Sequence, residues 1–354
     1  MNNPGSPVRP LGARLFEAPA IGRMAPGTGV LVYGSLLLWS AFVLFPIYWV
    51  LITSFKEPID INLKPVYLPW IDFTPSLHAW NELFVIDYED TLKAYFNSII
   101  IAPLSTLLCI SVGSMAAYAL ARIQFRPKLA SILIFVVSMI VAFAAIVSFG
   151  VDWRLAVAVA LAVFALLVRA LGRRFRRSIG NGEILFWMIS QRILPPIVVV
   201  VPVYMMFQSV RLLDTHLALI LAYSVVNLPI VVWLMYDFFL SIPIDLEESA
   251  QLDGATRFVT FWEIVLPLAR PGLAATTLLV MILAWNEYLL ALFLSTSKAQ
   301  TMPILVAAMN AGERGTLWWS MSVVIIVMII PVVIMALVLQ RFISKGILLG
   351  AVKG

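Results

Sequence analysis

The chain has 354 residues, of which 62% are hydrophobic and 12% are charged, and its formal net charge is +5. Soluble domains average about 45–50% apolar and about 25% charged residues, so this composition excludes an ordinary water-soluble fold. The single cysteine, Cys109, excludes a disulfide framework within the chain. The basic residues are scattered over separate loops without interleaved aromatic residues, which argues against nucleic-acid binding.

Hydrophobic spans follow an N-terminal tail, residues 1–28, that is polar and rich in Pro and Gly. About 20 apolar residues cross a bilayer as a helix. The first span lacks a small-residue cleavage site, so we expect it to remain attached. We predict a transmembrane domain at 29–341 and a C-terminal tail at 342–354. The predicted spans are 31–53, 98–121, 130–149, 154–171, 184–207, 217–240, 272–294 and 318–340. The predicted fold is an all-α polytopic membrane protein with eight transmembrane helices.

The Lys and Arg residues predict the orientation, because cytoplasmic loops carry the excess of positive charge. With the N-terminus inside, sixteen Lys and Arg residues fall on the cytoplasmic side and seven on the outer side. Both termini are therefore predicted to be cytoplasmic, and so is the polar loop at 241–270. A multi-pass protein of this kind belongs in the cell (inner) membrane, in contact with membrane lipids.

The loop at 241–270 contains a spaced motif. Glu248-Ser249-Ala250 is followed by three residues, then Gly254, then nine residues, then Ile264-Val265-Leu266-Pro267. This pattern resembles the EAA loop of ABC-importer permeases, with Ser249 in place of the usual alanine.

The residues of this loop predict two short helices. We expect the side chain of Asp245 to cap the first helix, with Glu248 completing a capping box. Gly254 is expected to end that helix in a left-handed turn. The second helix is predicted over 258–265, with Pro267 stopping it.

The resemblance implies that the loop docks on a cytoplasmic ATPase. The partners it implies are a second homologous permease subunit, two ATPase subunits and an extracytoplasmic solute-binding protein. The chain has no GxxxxGK loop followed by Ser or Thr. We therefore expect ATP and Mg to be used by the ATPase subunits, and this chain to bind no cofactor or metal and to be no enzyme. The coupling residues implied are Glu247, Glu248, Ser249, Ala250, Asp253, Gly254, Ile264, Leu266 and Pro267.

Further motifs are similar to the carbohydrate (maltose and glycerol-phosphate type) branch of these permeases: Arg192-Ile193-Leu194-Pro195-Pro196, Leu213-Asp214-Thr215 and Ala284-Trp285-Asn286-Glu287-Tyr288. That branch usually has six helices. The two spans within 130–171 have no counterpart, so we interpret them as a hairpin inserted into a six-helix importer permease core. The hairpin ends at the basic run 173–177, which is typical of a topogenic anchor, and a lipid-sensing or regulatory role is the alternative.

Polar residues at membrane depth are candidates for a substrate path, because they tend to face a cavity or a partner. Asn286, Glu287 and Tyr288 are predicted to share one helical turn, where they suit a polyol, but a purely structural role for Glu287 stands equally. Asn227 and Tyr223 are weaker candidates. Asn227 precedes Leu228-Pro229 and is expected to satisfy a carbonyl freed at a proline kink. Arg192 is expected to snorkel to the inner interface.

The sequence therefore predicts the permease subunit of an ATP-driven carbohydrate importer. It would form half of the translocation path and couple ATPase closure to alternating access through the EAA loop. An ion-coupled secondary transporter of small polar solutes is the alternative, although such proteins usually show inverted repeats and none is visible. A membrane-bound enzyme would need a polar catalytic cluster, which the sequence lacks. The transported carbohydrate stays open.

Overall fold

The computed structural model describes residues 24–63, 65–86, 88–171, 178–310 and 316–351. The predicted N-terminal tail, up to residue 23, the basic run at 173–177 and residues 352–354 lie outside these ranges. Within them the regular elements are helices, which confirms the predicted all-α class. The predicted C-terminal tail begins inside a helix, since the last helix continues to Ala351.

Six helices in this part of the chain are long and apolar enough to cross a membrane, or eight spans if each of two bent helix pairs is counted once. The helices are α1 (Pro26–Thr53), α2 (Pro58–Leu63), α3 (His78–Asn81), α4 (Tyr88–Arg122), α5 (Leu129–Phe149), α6 (Trp153–Leu171), α7 (Asn181–Ser190), α8 (Pro196–Ser209), α9 (His216–Ser241), α10 (Asp245–Leu252), α11 (Arg257–Thr260), α12 (Leu266–Leu268), α13 (Arg270–Trp285), α14 (Leu289–Leu294), α15 (Met302–Asn310) and α16 (Trp318–Ala351).

Two predicted spans are not continuous helices. The span predicted at 184–207 bends by 92° between α7 and α8. Leu194 there is extended, with ψ 131°, because the proline that follows disfavours helical geometry in the residue before it. The span predicted at 272–294 is broken between Trp285 and Leu289. A further 78° bend separates α12 from α13.

The chain divides into two compact units, and the first comprises residues up to Thr91 together with 306–329. Its small core packs around Lys56, which is 2% exposed. The Lys56 ammonium donates to the Val66 carbonyl at 2.8 Å and lies 4.1 Å from the Trp49 ring centroid. Burial lowers the pKa of Lys56, against the opposing charges of Asp60 and Asp72. A buried cation thus fixes the segment that follows α1.

The second unit, 92–305 with 330–354, has its core where α4, α7, α9 and α13 meet. Two glycines allow these helices to approach closely. A Cβ at Gly113 in α4 would lie 2.5 Å from a Val231 methyl group in α9, and one at Gly272 in α13 would overlap the Phe238 ring. Small residues of this kind permit the close helix packing typical of membrane bundles.

The predicted hairpin also belongs to the second unit, and α5 and α6 pack on each other. The residues before α5 and after α6 lie next to each other, since the Ile179 N–H donates to the Pro127 carbonyl at 2.9 Å. The Asn181 amide then donates to the carbonyls of Leu120 and Ile123, at 2.6 and 2.7 Å, and so caps the end of α4. The two ends of the hairpin are therefore held together by hydrogen bonds.

A carboxylate ties the connection between α8 and α9 to the segment after α14. The Asp214 carboxylate accepts hydrogen bonds of 2.9–3.1 Å from four successive backbone N–H groups, at Thr296, Ser297, Lys298 and Ala299. Burial would raise the pKa of Asp214, but these four donors outweigh it and hold the pKa well below its ordinary value. The ionised carboxylate is therefore part of the fold.

We predict that Asp214→Asn destabilises the protein by about 1–3 kcal/mol, because charge-assisted hydrogen bonds are lost. The folded pKa is lowered, so the stabilisation is complete above the pKa of an unfolded aspartate, about 3.9, and is lost only as the pH falls toward the folded value. Thermal unfolding of the purified complex at neutral pH measures the effect. Asp90→Asn, at an exposed position in α4, is the control. Equal midpoints for both variants would contradict the assignment.

Candidate functional site

The EAA segment, residues 241–270, forms two helical pieces separated by a turn. The first piece is α10, and the second runs through α11, a π-helical turn at Phe261–Val265 and α12. Gly254 lies between them with φ +92°, which confirms the predicted left-handed turn. Ser249 stands where the resembled pattern has alanine, and its hydroxyl donates to the Asp245 carbonyl one helical turn earlier, at 2.8 Å.

Two local expectations for this segment are wrong. Ile244 already has helical backbone angles, so Asp245 lies inside the first turn of α10 and its side chain makes no capping bond. The cap occurs instead at the second helix, where the Thr256 hydroxyl accepts from the Val259 N–H at 3.3 Å. Pro267 does not stop the second helix. It lies in the first turn of α12, and the break follows at Ala269.

Glu247 anchors the segment to the membrane helix α4. Its side chain is 3% exposed and its Oε1 lies 2.6 Å from the Arg122 Nε. The Tyr118 hydroxyl donates to Oε2 at 2.8 Å, and Arg122 also donates to the Ile242 carbonyl at 3.0 Å. Both carboxylate oxygens of a buried charge are thus satisfied. Removing one member of such a pair costs about 3–5 kcal/mol, so the contact holds α10 firmly on α4.

Aromatic packing extends this anchor to a third helix. The Tyr118 ring lies 4.8 Å from the Phe261 ring and 5.8 Å from the Phe239 ring, centroid to centroid. Phe239 belongs to the end of α9 and is fully buried, and Phe261 opens the π-helical turn. The EAA segment therefore packs on the ends of both α4 and α9.

The opposite face of the segment is open. Leu252 is 89% exposed and Phe258 67% exposed, on either side of the Gly254 turn. Glu248 is also exposed, in contrast to its neighbour Glu247. These side chains lie in the segment for which the sequence predicts docking on an ATPase. Of the remaining motif residues, Ile264, Leu266 and Pro267 are half-buried, and Asp253 is exposed.

A second group of polar residues lies where helices break. The Arg192 guanidinium, between α7 and α8, donates to the Asn227 side-chain oxygen. The Asn227 amide donates to the Tyr223 carbonyl at 2.9 Å, and the Tyr223 hydroxyl donates to the Glu287 carbonyl at 3.3 Å. A continuous polar chain thus connects the break before Pro195 with the break after Trp285.

The hydrogen bonds of Arg192 and Asn227 contradict two expectations. Arg192 does not snorkel, because its guanidinium bonds to α9. The Asn227 amide does not serve the carbonyl freed by Pro229, which is that of Val225. It bonds to Tyr223 instead, within a helix that runs unbroken.

The structure places Asn286, Glu287 and Tyr288 in the break itself, so their prediction as one helical turn is wrong. Asn286 follows the last residue of α13, and its amide donates to the Ile282 carbonyl at 2.8 Å. The Glu287 carboxylate accepts from the Leu290 N–H at 3.0 Å and so begins α14. Asn286 and Tyr288 are exposed, whereas Asn227 and Tyr223 are buried.

The sequence does not reveal the roles of three of these residues. Tyr118 and Arg122 fall at the end of the span predicted at 98–121, and the signal for their contact is Glu247, a second carboxylate beside the motif glutamate, which needs a basic partner where it is buried. Arg192 was visible as an ionisable residue before a Pro-Pro pair, which signals a broken helix. Among the described residues no cluster of His, Cys, Asp or Glu is placed to hold a metal ion.

Comparison with known proteins identifies the family of this chain. Residues 162–349 match the family described as binding-protein-dependent transport system inner membrane component. The trehalose/maltose transport system permease protein MalG of Thermococcus litoralis is 30% identical, over 92% of this chain and 96% of its own length. The sulfoquinovosyl glycerol transport system permease protein SmoH of Agrobacterium fabrum is 30% identical, over 88% and 89%.

A solved structure shares the fold. It belongs to a bacterial ABC transporter involved in the import of the acidic polysaccharide alginate, and the TM-score is 0.58 at 20% sequence identity, covering 89% of this chain and 95% of the other. The family, the relatives and the shared fold agree with the multi-pass helical architecture. The chain therefore belongs to the binding-protein-dependent transport system inner membrane components, the permease subunits of ABC importers.

Proposed function

We propose that this permease forms half of the translocation path of an ATP-driven carbohydrate importer and couples ATPase closure to alternating access. The observation that carries the proposal is the EAA segment, which presents an open apolar face while Glu247 ties it to α4. The transport systems named for its relatives carry trehalose, maltose and sulfoquinovosyl glycerol. These names support a carbohydrate as the cargo.

The assembly has a second homologous permease, two ATPase subunits and an extracytoplasmic binding protein. Eight spans with both termini in the cytoplasm put the EAA segment on the side of the ATPase. Two observations support this orientation: the excess of Lys and Arg in the loops on that side, and the count of up to eight spans when each bent pair is one span. ATP and Mg act on the ATPase subunits.

Coupling follows from rigid contacts. An ATPase that binds Leu252, Phe258 and Glu248 moves α10 when the nucleotide sites of the ATPase close. Since Glu247 and Phe261 fasten the segment to α4 and α9, these helices move with it. α9 carries Tyr223 and Asn227 in its middle, so the motion reaches the polar chain at the helix breaks.

The polar chain supplies groups that suit a sugar path. Hydroxyl groups bind to amides, carboxylates and free carbonyls, and a sugar ring packs on aromatic faces. Asn286 and Tyr288 are exposed at the break, beside Glu287, and Tyr223 and Asn227 support it from α9. Broken helices at a transport site expose backbone groups in this way. The alternative, an ion-coupled secondary transporter, is not supported, because the relatives are ABC importer permeases.

Gly254→Val tests the coupling role. Valine at φ +92° is strained by about 1–2 kcal/mol or more, so the turn between α10 and α11 is displaced. We expect the variant to insert normally while uptake falls about tenfold, the factor that corresponds to about 1.4 kcal/mol. Uptake in cells and co-purification of the ATPase are the measurements.

The matched control is Gly182→Val, because that glycine has open space around it and no positive φ. Glu248→Lys is a second variant, in which a charge on the open face is reversed without strain in the backbone. Normal uptake and normal ATPase binding in both EAA variants would remove the coupling role.

Replacing Asn286 and Glu287 together with leucine tests the path. Both side chains then lose the polar atoms that face a sugar, so we expect uptake to fall about tenfold or more. ATPase co-purification should be unchanged, because these residues lie outside the EAA segment. Unchanged uptake would show that the pair does not line the path, and loss of assembly would show that its role is structural.

A further inference from the structure

The inserted hairpin carries an apolar groove between its two helices. The groove has a volume of about 530 Å³ and is lined by residues of α5 and α6 together with Val151. Ser138, Ala142, Ala156 and Ala160 are buried, and they are small, so the helices leave space above them. Exposed side chains form the walls, among them Leu133, Val137, Val141, Leu155 and Val159.

The shape and chemistry of the groove suit a hydrocarbon chain. Its α5 wall runs from Leu133 to Ala145, a length of about 18 Å at the helical rise of 1.5 Å per residue. The lining offers almost no polar surface, and the hydroxyl of Ser138 is already used by the Phe135 carbonyl at 2.8 Å. An occupant therefore gains nothing from polar groups along this length.

The charges of the hairpin are confined to opposite ends. At the turn, Asp152 and Arg154 are neighbours of opposite sign. The other end carries Arg126 and Arg169, both of which are exposed. No acidic residue other than Asp152 occurs between Arg122 and Glu183. One end of the apolar groove is thus basic, and the acidic residue of the hairpin sequence, Asp152, lies at the opposite end.

An anionic phospholipid has both of these properties. Its acyl chains are apolar along their length, and its phosphate bonds to arginine through charge-assisted contacts. A transmembrane helix of a partner subunit would cover an apolar groove equally well. The cytoplasmic end of such a helix, however, would carry the same excess of Lys and Arg and would repel Arg126 and Arg169, whereas a phosphate attracts them, and so charge complementarity favours the lipid.

We propose that the groove between α5 and α6 binds an acyl chain of an anionic phospholipid, whose phosphate lies at the end marked by Arg126 and Arg169. This site is separate from the sugar path and independent of the cargo. It assigns the insertion a ligand of its own, which the six-helix core does not need.

Filling the groove tests the apolar part of the site. The importer complex is purified from membranes that contain both phosphatidylglycerol and phosphatidylethanolamine, and retained lipid is counted by native mass spectrometry. Val141→Trp with Val159→Trp places two indoles in the groove, and retained phosphatidylglycerol should fall about tenfold, as expected when at least two methylene contacts are lost. Val136→Trp with Leu161→Trp is the matched control, because these exposed residues do not line the groove. Equal retention in the two pairs would overturn the proposal.

Charge removal tests the headgroup. Arg126→Gln with Arg169→Gln should shift the retained lipid from phosphatidylglycerol toward phosphatidylethanolamine, whereas Arg154→Gln at the turn should not. An unchanged lipid ratio in the double variant would contradict a phosphate at this end.

A photo-crosslinking side chain at Val141 provides a test that needs no filled groove. Capture of a phospholipid supports the proposal. Capture of the second permease subunit, or of another copy of this chain, would overturn it.

Discussion

The buried carboxylate of Glu247 is the contact on which the proposed transport mechanism depends. Arg122 and Tyr118 satisfy both of its oxygens, and the pair lies almost out of contact with solvent. A charge in such a place is stable only with its partners present, so α10 has one position on α4. The motif residue beside it, Glu248, remains exposed and free to meet another protein. Of two adjacent glutamates, one is thus buried against α4 and the other is exposed.

α9 joins this contact to the middle of the membrane domain. Phe239 at its end packs on Tyr118 and Phe261, while Tyr223 and Asn227 in its middle belong to the polar chain between two helix breaks. The close contacts at Gly113 and Gly272 press α4 and α13 against the same helix. Tightly packed interfaces transmit displacements as rigid bodies, so in the proposed mechanism a displacement at the EAA segment would reach the breaks.

Composition and spacing were sufficient to predict the all-α class, the hairpin and the Gly254 turn, because hydrophobic length and a positive φ leave clear marks in a sequence. The breaks at Pro195 and after Trp285 are not predicted, because hydropathy measures the length of an apolar segment and does not report a change in the direction of its helix axis. The predicted Asp245 cap is wrong because the residue before it, Ile244, already has helical backbone angles. The partners of Glu247 lie more than 120 residues away in the chain, and no local pattern reports a contact of that range.

A double-mutant cycle on Arg122 and Glu247 tests the central claim most directly, with sugar uptake and ATP hydrolysis measured on the assembled importer. Arg122→Met or Glu247→Leu alone leaves one buried charge without a partner, so each should reduce uptake per ATP hydrolysed. The double variant removes both charges and should be no worse than either single one, because the two side chains act as a unit. Additive losses in the double variant would show that the residues act independently, and would contradict coupling through this contact.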